Sequence, residues 1–287
     1  MNLRILSGKI DKIFFGVKQK RKNHHYLDYR IISELKVKQG DLWRVFKIMS
    51  EFVMGFDELS RVAPGVTIFG SSRISQDNEY YKKSYELGYM LGNEGYSVIT
   101  GGGPGVMEAA NKGAYEAGAI SVGLTIDLPD EEPSRQYHTL SLDFDFFFVR
   151  KVMLVRYSVA FVIFPGGFGT FDELFELLNL IHTRKLYPYP VILFDQSFWE
   201  PILSFLKNNI LERGFIFPRG LEPIHVVSEP KEALDIINNF LVERYTSILD
   251  HMHPVERVRT LRLVKNIKNK ISVSNSEIRE GKNQNER

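Results

Sequence analysis

The chain has 287 residues and contains no cysteine. Disulfide bonds, thiolate metal ligands and a cysteine nucleophile are therefore excluded, although this absence does not fix the cellular compartment. No uninterrupted apolar run reaches membrane-spanning length, and the start, MNLRILSGKI, has no apolar stretch long enough for a signal peptide. No grouping of histidines suggests a structural metal. The sequence therefore predicts a cytoplasmic protein without a bound metal.

Positive charge is scarce in the middle of the chain and concentrated at its ends. Residues 1–50 hold twelve Lys and Arg against four Asp and Glu, and residues 251–287 hold nine against four. Residues 51–250 carry a net charge of −11, although the whole chain carries only +2. Basic ends of this kind are typical of solvated helix faces. The alternatives are that these basic ends contact nucleic acid, an anionic membrane surface or the acidic body of a neighbouring subunit.

Short apolar, β-rich runs alternate with longer amphipathic stretches between about residues 65 and 243. The predicted strands are 66–69, 96–100, 120–124, 159–164, 191–194 and 224–227. Helical periodicity is clearest in 79–94 and 171–181. Alternation of this kind implies right-handed crossovers and a parallel sheet covered by helices. We therefore expect an α/β fold, a Rossmann-like three-layer α/β/α domain with a mainly parallel sheet. Residues 28–60 show helical periodicity and no strand signal, so N-terminal helices are expected to precede the domain.

Three of the predicted strands end in turns of small residues that lead into helices. These turns are Gly70-Ser71-Ser72-Arg73, Gly101-Gly102-Gly103-Pro104-Gly105 and Pro165-Gly166-Gly167-Phe168-Gly169-Thr170. Glycine lets backbone N–H groups approach an anion, and a helix N-terminus adds partial positive charge. One such turn is as often a plain connection as a site. Three turns on one edge of a sheet predict an anion-binding site there.

Two common phosphate motifs are absent. Neither glycine-rich turn ends in the Gly-Lys-Ser/Thr of a P-loop. Neither completes the G-x-G-x-x-G fingerprint of dinucleotide-binding domains, because Glu108 and Asp172 stand where the last glycine belongs. A monophosphate on a helix end therefore fits better than ATP or NAD, and a nicotinamide-dependent dehydrogenase is disfavoured.

Glu173 follows Thr170 by three residues and allows two interpretations. Thr-x-x-Glu is the pattern of a capping box, in which the carboxylate only reaches back to the helix cap. Alternatively, the carboxylate faces the sugar beside a bound phosphate, where it holds ribose hydroxyls, orients water or stabilises positive charge. The sequence does not decide between them.

Arg150 and Lys151 open a predicted helical stretch at 152–157, just before a core strand. Cations at a helix N-terminus oppose the helix dipole, so an anion or acid nearby is expected to offset them. Arg150 can bridge a phosphate, a carboxylate or a purine edge. Met153, one turn further on, fits core packing or contact with a base.

Together these motifs resemble the LOG ("Lonely Guy") family of cytokinin riboside 5′-monophosphate phosphoribohydrolases, many of them long labelled lysine decarboxylases. The similar segments are GGGPGVME at 101–108, RKVM at 150–153 and PGGFGTFDE at 165–173, which contains a complete PGGxGTxxE motif. The resemblance covers roughly residues 66–242. It implies three regions, namely a basic helical N-terminal extension (1–62), a Rossmann-like nucleotide-binding catalytic domain (63–245) and a basic, partly disordered C-terminal tail (246–287).

The resemblance also implies roles for individual residues. Arg150 and Glu173 correspond to the catalytic pair. The substrate-binding positions are Gly166, Gly167, Gly169 and Thr170 around the phosphate, and Gly70, Ser71, Gly102, Gly103, Lys151 and Met153 around the rest of the nucleotide. The family further implies a homodimer or larger homo-oligomer with residues near the site contributed across the interface, and no metal or organic cofactor.

The implied reaction is hydrolysis of the N-glycosidic bond of a nucleoside 5′-monophosphate, such as AMP or N6-modified AMP, to free base and ribose 5-phosphate. A non-catalytic nucleotide sensor or carrier of the same fold is the main alternative. Lysine decarboxylation would need pyridoxal phosphate on a lysine that typically follows histidine, and the chain has no His-Lys dipeptide. Neither the preferred base nor the physiological role, cytokinin activation or nucleotide salvage, follows from the sequence.

Overall fold

The computed structural model describes residues 40–128, 133–250, 252 and 254–285. The chain divides after Arg44, and Val45–Arg287 is the second of its two units. Helix α1 (Gly40–Leu59) confirms helical structure in the later part of the segment predicted to be helical, 28–60. Residues 28–39 of that prediction lie outside the described residues.

The second unit is built on a parallel sheet of seven strands. The strands are β1 (Gly65–Phe69), β2 (Ser97–Thr100), β3 (Ser121–Ile126), β4 (Leu140–Phe144), β5 (Ser158–Ile163), β6 (Val191–Phe194) and β7 (Ile224–Val227). Their spatial order is β4-β3-β2-β1-β5-β6-β7, and every neighbouring pair is parallel. The predicted α/β fold with a parallel sheet is therefore confirmed.

Helices connect the strands and cover both faces of the sheet. After α1 they are α2 (Glu79–Glu94), α3 (Val106–Glu116), α4 (Phe147–Arg156), α5 (Phe168–His182), α6 (Gln196–Phe205), α7 (Pro230–Leu249) and α8 (Pro254–Asn285). Helix α2 has the predicted limits because both ends carry clear signals. The Asn78 side chain accepts a hydrogen bond from Tyr80 N, and Gly95 ends the helix with a φ of 109°. Among the described residues, no helix is both long and apolar enough to cross a membrane.

Strand β4 is absent from the strands that the sequence predicts. Its residues, LSLDF, alternate between apolar and polar, and only Leu142 and Phe144 are buried. This pattern is that of an edge strand with one solvated face, whereas the other predicted strands were recognised by continuous apolar runs. Six strands were therefore predicted where the sheet has seven.

The core is centred on β1 and β5, whose residues are buried throughout. The one polar side chain inside β1, Thr67, donates a hydrogen bond to Leu154 O at 2.7 Å, so its hydroxyl is satisfied. The chain leaves β1 towards β2 and returns later to β5 on the other side. Strand order therefore reverses between β1 and β5, and a crevice opens at their carboxyl ends.

Contacts of the second unit cross both limits of the predicted central region. A Cβ on Gly55 of α1 would lie 2.7 Å from Met153 Sδ, and the Glu51 carboxylate accepts a hydrogen bond from Asp145 N at 2.9 Å. In α8, Leu263, Val264 and Ile267 are buried in the core. The limits at residues 62 and 245 stay predictions, but the packed unit extends beyond them on both sides.

We expect Leu263→Ala to lower the free energy of unfolding by about 2–4 kcal/mol, because it removes a buried side chain and leaves a cavity. Leu261→Ala is the matched control, since Leu261 lies on the same helix but is 45% exposed. Urea unfolding followed by circular dichroism measures both. Equal, small losses would contradict the packing of α8 into the core.

Candidate functional site

A cavity with a volume of about 700 Å³ opens where the strand order reverses. The turn after β1 lines it, and so does the turn after β5 with the start of α5. Arg150 and Leu154 of α4 line it, together with Gly101 after β2. The site therefore lies at the edge of the sheet that the glycine-rich turns predicted.

Backbone hydrogen bonds hold the three turns to one another. Ser71 N donates to Pro165 O at 3.1 Å, and Val106 N donates to Ser71 O at 3.0 Å. Each turn is thus fixed by its neighbour as well as by its own strand. The turns that line the cavity therefore form a single hydrogen-bonded unit rather than three separate loops.

Close packing explains two of the glycines, and open space surrounds two others. A Cβ on Gly101 would lie 2.3 Å from Arg150 Nη2, and Gly105 has a φ of 68° with a Cβ position 2.4 Å from Ser71 O. At Gly167 and Gly169, in contrast, a Cβ would meet nothing within 4 Å among the described residues. The surface above the start of α5 is therefore open enough for a ligand to approach the backbone.

Helix α5 begins earlier than predicted, and this overturns the capping-box interpretation. Gly167 is the N-cap, and Phe171 N donates to Gly167 O at 3.1 Å. Thr170 is the third residue of the helix and not its N-cap. Thr170 and Glu173 therefore cannot form a capping box, which requires the first of the two residues to be the N-cap. Because Gly167 has no side chain, the N–H groups of residues 168–170 keep their capacity to bind an anion in the cavity.

The Glu173 carboxyl group lines the cavity although the residue is only 8% exposed. Its Oε2 atom is buried and makes no hydrogen bond within the described part of the chain. Burial raises the pKa of Glu173 to about 7, an effect that Lys151 and Arg150 partly offset by favouring the charged form. A buried carboxyl group that ionises near neutral pH is typical of groups that exchange protons with a substrate.

Arg150 and Lys151 lie next to each other on α4 but have different surroundings. The Arg150 guanidinium donates from Nε to Leu124 O at 2.6 Å and from Nη2 to Gly101 O at 3.1 Å. Lys151 Nζ lies 2.9 Å from both Asp172 Oδ2 and Glu176 Oε2 of α5. Arg150 is therefore a cation of the cavity wall, whereas Lys151 joins two helices.

The cavity brings together seven of the residues predicted for the site: Gly70, Ser71, Arg150, Gly167, Gly169, Thr170 and Glu173. Gly102 and Gly103 line a small pocket beside it, which shares Arg150 and Gly101 with the main cavity. Lys151, Met153 and Gly166 are not part of the lining. Met153 is fully buried against Gly55, and Gly166 packs closely against Thr170. The predicted contacts of these three residues with a substrate stay predictions, because none of the three lines the cavity.

Eleven further lining residues were not among the predicted site residues: Phe69, Ser72, Arg73, Gly101, Met107, Leu128, Phe147, Leu154, Phe168, Phe171 and Asp172. Two of them had a usable signal, because Ser72 and Arg73 directly follow Ser71 in a turn at a strand end. Phe147 was missed because α4 begins three residues before Arg150. Phe168, which is 96% exposed, occupies the variable position of the glycine-rich motif.

This arrangement offers an anion-binding helix end, a nearby carboxyl group that titrates near pH 7 and a permanent cation. Within the described ranges, no group of three or more His, Asp or Glu side chains is placed to hold a metal ion. The chemistry available to these side chains is binding of a phosphate ester and acid–base or electrostatic work at an adjacent sugar carbon.

The comparisons with known proteins agree with the resemblance found in the sequence. The family model described as "possible lysine decarboxylase" matches residues 107–237. A probable cytokinin riboside 5′-monophosphate phosphoribohydrolase from Oryza sativa subsp. japonica is 27% identical over 179 residues, which cover 61% of this chain and 72% of that protein. A cytokinin riboside 5′-monophosphate phosphoribohydrolase from Rhodococcoides fascians is 25% identical over 180 residues, which cover 61% and 89%. The resemblance to the LOG family is therefore confirmed.

A solved structure is also similar to this chain. The molybdenum cofactor binding protein from Rippkaea orientalis matches with 23% identity and a TM-score of 0.45, covering 62% of this chain and 95% of that chain. Similarity at this level carries no conclusion about what the present cavity binds.

We expect Glu173→Gln to stabilise the protein at neutral and alkaline pH. Between pH 4.5 and about 7 the unfolded chain loses this proton while the folded protein keeps it, so wild-type stability falls as the pH rises. The free energy of unfolding of Glu173→Gln should exceed that of the wild type by about 3 kcal/mol above pH 7, and the difference should vanish near pH 4.

Urea unfolding at several pH values measures this difference. Glu86→Gln is the control, because Glu86 is exposed on α2 and its replacement should change stability by no more than about 0.5 kcal/mol. A stability difference between Glu173→Gln and wild type that does not vary with pH would show that Glu173 is not a buried, neutral acid.

Proposed function

We propose that the chain hydrolyses the N-glycosidic bond of a nucleoside 5′-monophosphate, AMP or an N6-modified AMP, to free base and ribose 5-phosphate. The observation that carries the proposal is the buried Glu173 carboxyl, which shares the cavity wall with the N-terminus of α5. The names of the relatives from Oryza sativa and Rhodococcoides fascians support this substrate class. Without such a carboxyl, the cavity would suit phosphate binding alone.

The phosphate is proposed to lie at the N-terminus of α5. There the N–H groups of residues 168–170 have no carbonyl partner within the helix, and the helix dipole favours negative charge. The open space at Gly167 and Gly169 leaves room for phosphate oxygens to reach these groups. A phosphate in this position puts the attached ribose further into the cavity, on the side where Glu173 lies.

The reaction breaks the bond between C1′ of the ribose and a nitrogen of the base, and the bonding electrons leave with the nitrogen. The oxygen of water bonds to C1′, and the base nitrogen gains a proton. The sugar passes through an oxocarbenium-like state, which an ionised carboxylate stabilises. Ionised Glu173 can also take a proton from the attacking water, since a pKa of about 7 suits proton transfer at neutral pH.

Arg150 is proposed to act by its charge and position rather than as an acid. A guanidinium group stays protonated in proteins, so it is a poor proton donor. Two of its N–H groups are bonded to the carbonyl oxygens of Leu124 and Gly101, which fixes it at the ends of β3 and β2. From there it can offset negative charge on the departing base and favour the ionised form of Glu173, whose pKa it lowers.

Base release from AMP tests the proposal directly. The purified protein is incubated with AMP, N6-isopentenyl-AMP and other nucleoside monophosphates, and free base and ribose 5-phosphate are separated by chromatography. We expect both products from at least one adenine nucleotide. Nucleotide binding without any base release would instead favour the non-catalytic nucleotide-binding module.

We expect Glu173→Gln and Arg150→Ala each to lower kcat/KM for this reaction by about 10²-fold or more. Each change removes a charge that faces the reacting sugar, whereas the control Glu86→Gln leaves the cavity intact and should retain wild-type rates. Steady-state kinetics measures the losses, and circular dichroism checks that each variant is folded. Wild-type turnover by either variant would remove that residue from the mechanism.

The rate should depend on the ionisation of Glu173. Because the ionised form is proposed to act, kcat/KM should rise as the pH increases through about 7 and then level off. The second ionisation of the substrate phosphate occurs near pH 6 and is recorded separately by titrating the nucleotide. A rate that falls through pH 7 would assign the active role to the protonated acid and contradict this mechanism.

A further inference from the structure

Four charged residues line the described part of the cavity, namely Arg73, Arg150, Asp172 and Glu173. Arg150 is bonded to two backbone carbonyl groups, and Asp172 forms a salt bridge with Lys151. Arg73 lies in the part of the wall formed by the turn after β1, with an exposed side chain. It is therefore a cation that neither the family motif nor the proposed chemistry uses.

The charges on α5 alone do not suit a phosphate monoester. Such a group carries between about 1.5 and 2 negative charges at neutral pH. The N-terminus of a helix supplies the equivalent of about half a positive charge. Asp172 and Glu173, one turn further along α5, repel an anion whenever they are ionised. A phosphate seat at this helix end therefore needs a cation from another element.

The turn that follows β1 positions Arg73 to supply that cation. Ser71 N donates a hydrogen bond to the carbonyl oxygen of Pro165, the first residue of the turn before α5. The Ser71 hydroxyl oxygen accepts a hydrogen bond from Arg73 N at 3.1 Å, so the backbone at Arg73 is tied to the same serine. The base of the arginine side chain is thus fixed beside the start of α5.

We propose that Arg73 binds the 5′-phosphate and makes the site select nucleotides over nucleosides. A guanidinium group can bond two phosphate oxygens at once, which gives direction as well as charge. The inference rests on the proposed function for its substrate, but it concerns binding and can be measured without turnover. Arg73 would face the phosphate and not the reacting C1′ atom, so it acts on affinity rather than on the chemical step.

Replacing Arg73 should separate KM from kcat. Loss of a hydrogen-bonded charge corresponds to about a 10- to 100-fold change in affinity, so Arg73→Ala should raise KM for AMP by that factor and change kcat little. Arg73→Lys, which keeps the charge but not the planar pair of donors, should fall between Arg73→Ala and wild type. The matched control is Arg213→Ala, since Arg213 is exposed and outside the cavity lining.

Calorimetric binding of AMP, adenosine and ribose 5-phosphate tests the inference independently of catalysis. Arg73→Ala should weaken the binding of AMP and ribose 5-phosphate and leave the affinity for adenosine unchanged. If the wild type binds AMP but releases no base, the hydrolase proposal fails while this selective loss still supports a phosphate-binding Arg73.

Three binding results would each overturn the inference. They are unchanged AMP affinity in Arg73→Ala, an equal loss of affinity for AMP and adenosine, and failure of the wild type to bind either AMP or ribose 5-phosphate. A drop in kcat with unchanged KM would also contradict it, because that result places Arg73 in the chemical step.

Discussion

The site depends on one residue, Ser71, whose backbone N–H and C=O groups are hydrogen-bonded to the segments on both sides of it. Its N–H donates to Pro165 O and its carbonyl accepts from Val106 N. This is possible because β1 lies between β2 and β5, so that their carboxyl ends meet at one edge. The start of α5 and the turn that carries Arg73 are both held by this serine. Small residues are required nearby because a Cβ on Gly105 would displace the Ser71 carbonyl.

Electrostatics in the cavity reflect a conflict between stability and chemistry. Helix α5 carries three acidic residues within two turns, and only two of them, Asp172 and Glu176, are paired with Lys151. Glu173 lines the cavity, and burial disfavours its ionised form. Its Oε2 atom makes no hydrogen bond to any described residue, so burial of this oxygen is not offset by a bond within the described part of the protein. The conflict is resolved if the group serves a bound substrate, since functional sites commonly retain destabilising residues.

The central strands and the position of the site could be predicted because they depend on local composition. Strands such as β5, buried on both faces, give continuous apolar runs, and glycine-rich turns at their ends mark the edge where ligands bind. Strand β4 was missed because its apolar and polar residues alternate, as in an edge strand with one solvated face. The start of α5 was placed too late because Gly167 caps it without a side-chain signal, and Thr170 then resembled a cap. Arg73 escaped selection because its importance comes from lining a cavity together with a helix that is distant in sequence.

The Ser71–Pro165 bond also has a consequence for how the domain acquires its binding capacity. It joins segments on either side of the intervening β2, β3 and β4, so it closes a long loop and can form only after much of the sheet is in place. Partly folded chains that lack this bond would have no cradle for an anion. A molecule captured there would consequently favour states in which this bond is formed over partly unfolded states that lack it, and its binding free energy would stabilise the pairing of β1 with β5 rather than one loop alone.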